Sequence, residues 1–150
     1  MKKDFYKMTE KILYDYNKIK AHIEFKTLEL KEYESEDGLR AINYSYAPAK
    51  TNRISNPVED IALLNSQRIH NILQDINRCE SRLDSIMRGV LSLEEEEKAV
   101  IMLRYFKSMS WIQIATNIYR SERHVQRIKR KAINKLKVVY FGLDALEEIL

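Results

Sequence analysis

Proline, glycine and cysteine are all scarce in this chain. Two Pro and three Gly among 150 residues leave few points where a helix must break, which favours long helices over a strand-and-turn architecture. The single cysteine, Cys79, excludes an internal disulfide, and no CxxC or Cys/His cluster offers zinc-ligand spacing. A reducing compartment follows. The first residues, MKKDFYKMTE, lack the apolar core of a signal peptide, and no apolar run approaches membrane-spanning length. The expectation is a soluble, cytoplasmic protein without a membrane partner. Nucleophile–base pairing, a phosphate loop and a metal constellation are also missing, so the expectation includes no enzyme activity, no cofactor and no metal.

Charge is present but unevenly spread. Residues 1–97 hold 15 Lys/Arg and 18 Asp/Glu, whereas residues 98–139 hold 11 Lys/Arg and one acid, Glu122. Residues 140–150 return to a net charge of −3. A solvated helix face explains scattered lysines, but not one acid among eleven bases. Such a concentration is the electrostatic footprint of a nucleic-acid partner.

Hydrophobic spacing places the elements. Phe5, Met8, Ile12, Tyr16, Ile19, Ile23 and Leu30 recur mostly at steps of three and four, which predicts a helix over 4–33. Residues 34–56 contain Gly38 and Pro48 and keep no period, so they read as a connector. Asn56-Pro57-Val58-Glu59 supplies an N-cap, a first-turn proline and a back-bonding acid for a helix to about Val90. Its stripe, from Ile69 through Ile72, Ile76, Cys79, Leu83 and Ile86 to Val90, seeks a partner helix. The first helix folded back as a hairpin or coiled coil, or a second copy in a homodimer, would serve. On this stripe Cys79 reads as a small core residue, and His22 and His70 as structural or surface residues.

Gly89 and Ser92 mark the next boundary, and Ser92-Leu93-Glu94-Glu95 reads as a capping box. The acids Glu94–Glu97 suit the positive end of the helix dipole, and read as helix punctuation rather than a metal site. The helix they open, up to Phe106, is expected to turn Ala99, Val100, Leu103 and Phe106 inward. Ser110 caps a short helix, 111–117, and Ser121 caps a longer one to Val139. On the longer helix Val125, Ile128, Ala132 and Leu136 fall within about 80° of one another, while Arg123, Gln126, Arg127, Arg130 and Asn134 fall opposite. Ala115 is small enough for the close approach of two steeply crossing helices, above a core of Ile114, Ile118, Val125 and Ile128. This is the pattern of a helix-turn-helix whose second helix enters the major groove. Arg and Gln there can reach base edges, and bases farther along suit phosphate. Trp111 reads as core packing rather than a base-stacking platform.

The stretch LSLEEEEKAVIMLRYFKSMSWIQIATNIYRSERHVQRIKRKAINKL resembles region four of bacterial sigma factors. The resemblance rests on Leu-Arg-Tyr-Phe at 103–106, Ser-Trp-x-x-Ile-Ala at 110–115, Ser-x-x-x-Val at 121–125 and Lys-Ala-Ile-x-Lys-Leu at 131–136. The whole layout is similar to phage late-gene transcriptional regulators of the ArpU/RinA type. The resemblance covers about a third of the chain by its motifs, and the rest by layout alone. It departs at the turn, where Tyr119 stands in place of a common glycine and Arg120 in place of an apolar residue. No counterpart of sigma region two is present, which argues against a complete sigma factor. The resemblance implies Glu122, Arg123, Gln126 and Arg127 as base readers, with Glu122 also serving the helix dipole. Ser121, His124, Arg130, Lys131 and Lys135 complete the expected DNA-binding set.

The expectation is therefore an all-α protein in two parts. Residues 1–91 form a helical hairpin with connector 34–56, for oligomerisation or partner binding. Residues 92–150 form a sigma region four-like, DNA-binding helix-turn-helix domain. The function expected is a sequence-specific transcriptional regulator of phage or prophage type that binds double-stranded DNA. Promoter-proximal binding would bring the N-terminal helices or the acidic tail, 143–150, near RNA polymerase. Two other readings compete: a small terminase-like DNA-packaging protein, and a helical module whose basic face binds an acidic protein.

Overall fold

The computed structural model describes residues 3–44 and 57–147, with the side chains of 3–35, 60 and 62–147. Helices α1 (Phe5–Tyr44), α2 (Pro57–Leu91), α3 (Glu95–Ile101), α4 (Trp111–Ile118), α5 (Glu122–Phe141) and α6 (Leu143–Glu147) follow one another, and no strand occurs among the described residues. The chain is all-helical, as its composition implies. No helix is long and apolar enough to cross a membrane.

Two expectations about boundaries need correction. Helix α1 does not stop at residue 33 but continues to Tyr44, eleven residues into the expected connector. Gly38 costs a helix only about 1 kcal/mol, too little to end a segment that also holds Glu, Leu, Arg and Ala, and Pro48 lies beyond. Ser92 does not cap α3 either. Its hydroxyl donates to Gly89 O at 2.6 Å, closing the end of α2, while Glu94 takes the N-cap position without a side-chain bond. Helix α2 begins at Pro57 as expected; the Asn56 cap lies outside the described residues.

The chain forms two compact units, and they cut across both long helices rather than falling on either side of residues 91/92. One comprises residues 1–19 and 82–150, the other residues 20–81. Within the first, Leu13 of α1 and Ile86 and Val90 of α2 join Leu93, Ile101, Tyr105, Ala132, Ile133 and Leu136 in one buried cluster. Burying each large aliphatic side chain there stabilises the fold by roughly 1.5–3 kcal/mol. Gly89 lies in the last turn of α2, which ends at Leu91. A Cβ there would collide with the ring of Tyr140, so glycine is what lets α5 approach α2 this closely. Tyr140 donates to Ile86 O at 2.7 Å, and burial pushes its pKa up to about 12.

The last turn of the α3 segment widens into a π-turn over Met102–Phe106, with Lys107 N–H bonding back to Met102 O at 3.1 Å. Leu103 and Phe106 turn inward as expected and pack half-buried against the core, while Tyr105 takes the fully buried place. Asn17 of α1 donates to the end carbonyl of Phe106 at 2.9 Å, one that this helix end leaves without a partner of its own. Within the second unit, His22 of α1 bonds Asp75 of α2, and Arg68 stacks over Tyr33 with 5.9 Å to the ring centroid.

Candidate nucleic-acid interface

Local chemistry fixes the two helices that carry the site. Ser110 Oγ accepts from Gln113 N–H at 3.3 Å, and Gln113 Oε1 accepts from Ser110 N–H at 2.9 Å, a reciprocal cap that starts α4. Helix α4 ends at Tyr119, whose φ of 56° and ψ of 43° are left-handed. Without glycine this conformation costs about 1–2 kcal/mol. Arg120 N–H bonds Ala115 O at 3.0 Å and holds the turn. Tyr119, standing in place of a common glycine, thus takes the positive φ itself. Ser121 then caps α5, accepting from His124 N–H at 3.2 Å.

Helix α5 has two unlike faces. Val125, Ala132, Ile133 and Leu136 are wholly buried, with Ile128 nearly so. Val125 and Ile128 share a second cluster with Val100, Ile114 and Ala115, so the apolar residues expected to support α5 do meet, with Ile118 packed at the edge. On the outer face Glu122, Arg123, Gln126, Arg127, Arg130 and Asn134 are exposed. They border two open grooves running along the helix. No carboxylate among the described residues forms an ion pair with Arg123, Arg127 or Arg130. His124 is half-buried beside the row.

Three other bases of α5, Lys129, Lys131 and Lys135, meet carboxylates of other helices. Lys135 lies 2.9 Å from Glu97 Oε1 and 3.4 Å from Glu94, and the hydrogen bond to Glu97 raises its pKa above the ordinary lysine value. Lys131, otherwise open to solvent, is 3.6 Å from the same Glu97. Lys129 turns inward, 3.0 Å from Glu10 and 3.2 Å from the Tyr6 hydroxyl. Burial opposes its charge, but the hydrogen bonds to Glu10 and Tyr6 outweigh it and raise its pKa. Glu10 also accepts from the Tyr105 hydroxyl at 2.8 Å. Burial first, and then that bond, lift the pKa of Tyr105 far above the usual phenol value.

A family model described as "Protein of unknown function (DUF722)" matches residues 5–138. The chain belongs to that family. No curated protein and no solved structure matches it. The match takes in α4, the turn at 119–121 and α5 through Val138.

Several contributors to this region were not expected from the sequence. The acidic run at 94–97 is more than helix punctuation: Glu96 reaches Arg120 at 3.0 Å across the turn, and buried Glu97 gathers Lys131 and Lys135. Their opposite charges were legible, but separations of 24 to 38 residues hide such pairs from a local reading. Arg104 packs over the Trp111 ring, 4.4 Å from its centroid, and donates to Met109 O at 3.0 Å. Trp111 thus serves packing, the role expected of it.

Proposed function

We propose that this protein is a sequence-specific DNA-binding transcriptional regulator of phage or prophage type. In this reading α4, the turn at 119–121 and α5 are a helix-turn-helix, and α5 is the helix that enters the major groove. One observation carries it. Arg123, Gln126, Arg127 and Arg130 stand exposed along one face of a helix whose opposite face is held by buried Val125, Ile128, Ala132 and Leu136.

That arrangement is suited to nucleic acid for physical reasons. Guanidinium groups near the start of the helix, without an ion pair among the described residues, can bond guanine O6 and N7 in pairs, and Gln126 can do the same with adenine. A rigid support fixes where these donors point, which sequence discrimination needs. The long helices α1 and α2 read as an antiparallel hairpin attached to this module. Dimerisation through it would present two reading helices to two half-sites.

Selection of bound duplexes from a random pool tests the reading. A shared motif should emerge, and Arg127→Ala should blur it at one position. Retention of every sequence alike, or of none in moderate salt, would overturn the regulator reading in favour of a basic face for an acidic protein. Assembly of rings in solution would favour packaging.

A further inference from the structure

We propose that His22, Asp75 and Cys79 form a binding site for a divalent transition-metal ion of the zinc class. The three lie in the compact unit of residues 20–81, apart from the residues assigned to DNA, and the inference does not depend on that assignment. His22 Nε2 is 2.8 Å from Asp75 Oδ2, and Cys79 Sγ is 4.0 Å from Asp75 Oδ1. One potential donor atom from each of the three lies within 4.8 Å of the others. No other group of three such residues gathers this way among the described residues.

The placement follows from helix geometry. Asp75 and Cys79 are four residues apart on α2 and so share a face, and His22 of α1 faces them. Because 53 residues separate His22 from Asp75, no short ligand spacing appears in the sequence.

The donor set selects the ion. Imidazole nitrogen, carboxylate oxygen and thiolate sulfur together suit zinc or cobalt, whereas magnesium and calcium take oxygen. Bonds of about 2.0–2.3 Å at tetrahedral angles hold ligand atoms roughly 3.3–3.6 Å apart. The observed distances, 2.8 Å to one oxygen of Asp75 and 4.0 Å to the other, with all three donors within 4.8 Å, lie around that range, so side-chain rotations bring the three ligands together. Cys79 is half-buried, while the side chains of His22 and Asp75 are 43% and 37% exposed. The site is therefore open to an arriving ion and to a water as fourth ligand. Lys26, whose charge also reaches Asp75, is tied to Glu29 at 2.8 Å. On binding, the ion takes the place of the hydrogen bond between His22 Nε2 and Asp75, and the neutral imidazole carries its one hydrogen on Nδ1. Cys79 releases its thiol proton to solvent.

The test uses the full chain, reduced and stripped of metal, with cobalt(II) as the spectroscopic probe and zinc(II) as competitor. One equivalent of cobalt should produce a thiolate-to-metal charge-transfer band that zinc abolishes. Cys79→Ser should remove the band. His22→Ala should weaken binding by at least the roughly 10–100-fold that loss of a mere supporting group costs. Because Cys79 is the only cysteine, alkylation kinetics report on this thiol alone. One equivalent of zinc should slow its modification in the unaltered protein, a readout that requires no variant to fold. Cobalt binding without the band, or alkylation at the same rate with and without zinc, would overturn the proposal.

Discussion

Glu97 of α3, 3% exposed, holds the ammonium of Lys135 of α5 at 2.9 Å, with Lys131 3.6 Å from the same carboxylate. A buried carboxylate that joins two helices in this way is costly to leave unpaired. Glu97→Ala should lower stability by about 1–3 kcal/mol, as loss of a charge-assisted bond does. Glu94→Ala should cost under about 1 kcal/mol, because its bond to the same lysine is open to solvent. Thermal melts of the two variants check the difference. Equal losses would mean that burial of Glu97 adds nothing to the pair.

Gly89 and Tyr140 make a second coupled pair. Gly89→Ala should destabilise the protein by about 1–3 kcal/mol, because the added methyl collides with the phenol ring. In a Tyr140→Ala background the same change should be close to neutral, since alanine is the better helix former. A double-mutant cycle by denaturant unfolding measures the coupling. Additive effects would show that the close approach is not what requires glycine.

Stability should fall on the alkaline side. The pKa of Tyr140 is raised from 10.0 to about 12 by burial, and that of Lys129 is raised by Glu10 and Tyr6. For a raised pKa the stabilisation is complete below the unfolded value and disappears as pH climbs through the folded one. Unfolding free energy should therefore hold up to about pH 10 and decline towards pH 12, and Tyr140→Phe should soften the decline. Denaturant titrations from pH 8 to 12 would read this directly. An unchanged slope in Tyr140→Phe would remove the tyrosine from the account.

Local signals were readable in the sequence, and distant ones were not. The caps at Ser110 and Ser121, the start at Pro57 and the two faces of α5 depend on residues within a turn or two of each other, where spacing carries the information. The run of α1 past residue 33 was missed because a weakly periodic segment with one glycine looks like a loop. The roles of Gly89, Glu97 and Glu10 were invisible because each depends on a partner dozens of residues away. The same limit applies within the candidate site. The sequence reading put Arg127, Arg130, Lys131 and Lys135 together in one expected DNA-binding set. It could not separate Arg127 and Arg130 from Lys131 and Lys135, whose charge Glu97 already meets.

That separation sets the last prediction, which concerns how work divides along α5. If Arg127 reads a base, Arg127→Ala should cost about 1–3 kcal/mol on the selected duplex and much less on a scrambled one. Arg130, one turn on, is exposed and has no ion pair among the described residues, so Arg130→Ala should weaken both duplexes alike and flatten the salt slope by about one unit, as loss of a phosphate contact does. Lys135 was expected from the sequence to behave as Arg130 does. Because Glu97 and Glu94 already neutralise it, DNA would have to displace a carboxylate to use that charge, and few counterions would be released. Lys135→Ala should therefore alter the salt slope by clearly less than one unit while lowering the melting temperature. Titrations of all three variants at two salt concentrations, on selected and scrambled duplexes, separate these outcomes. A full unit lost in Lys135→Ala would show that the carboxylates let the lysine go on binding. Equal losses for Arg127→Ala on both duplexes would reduce the outer face of α5 to a plain electrostatic patch.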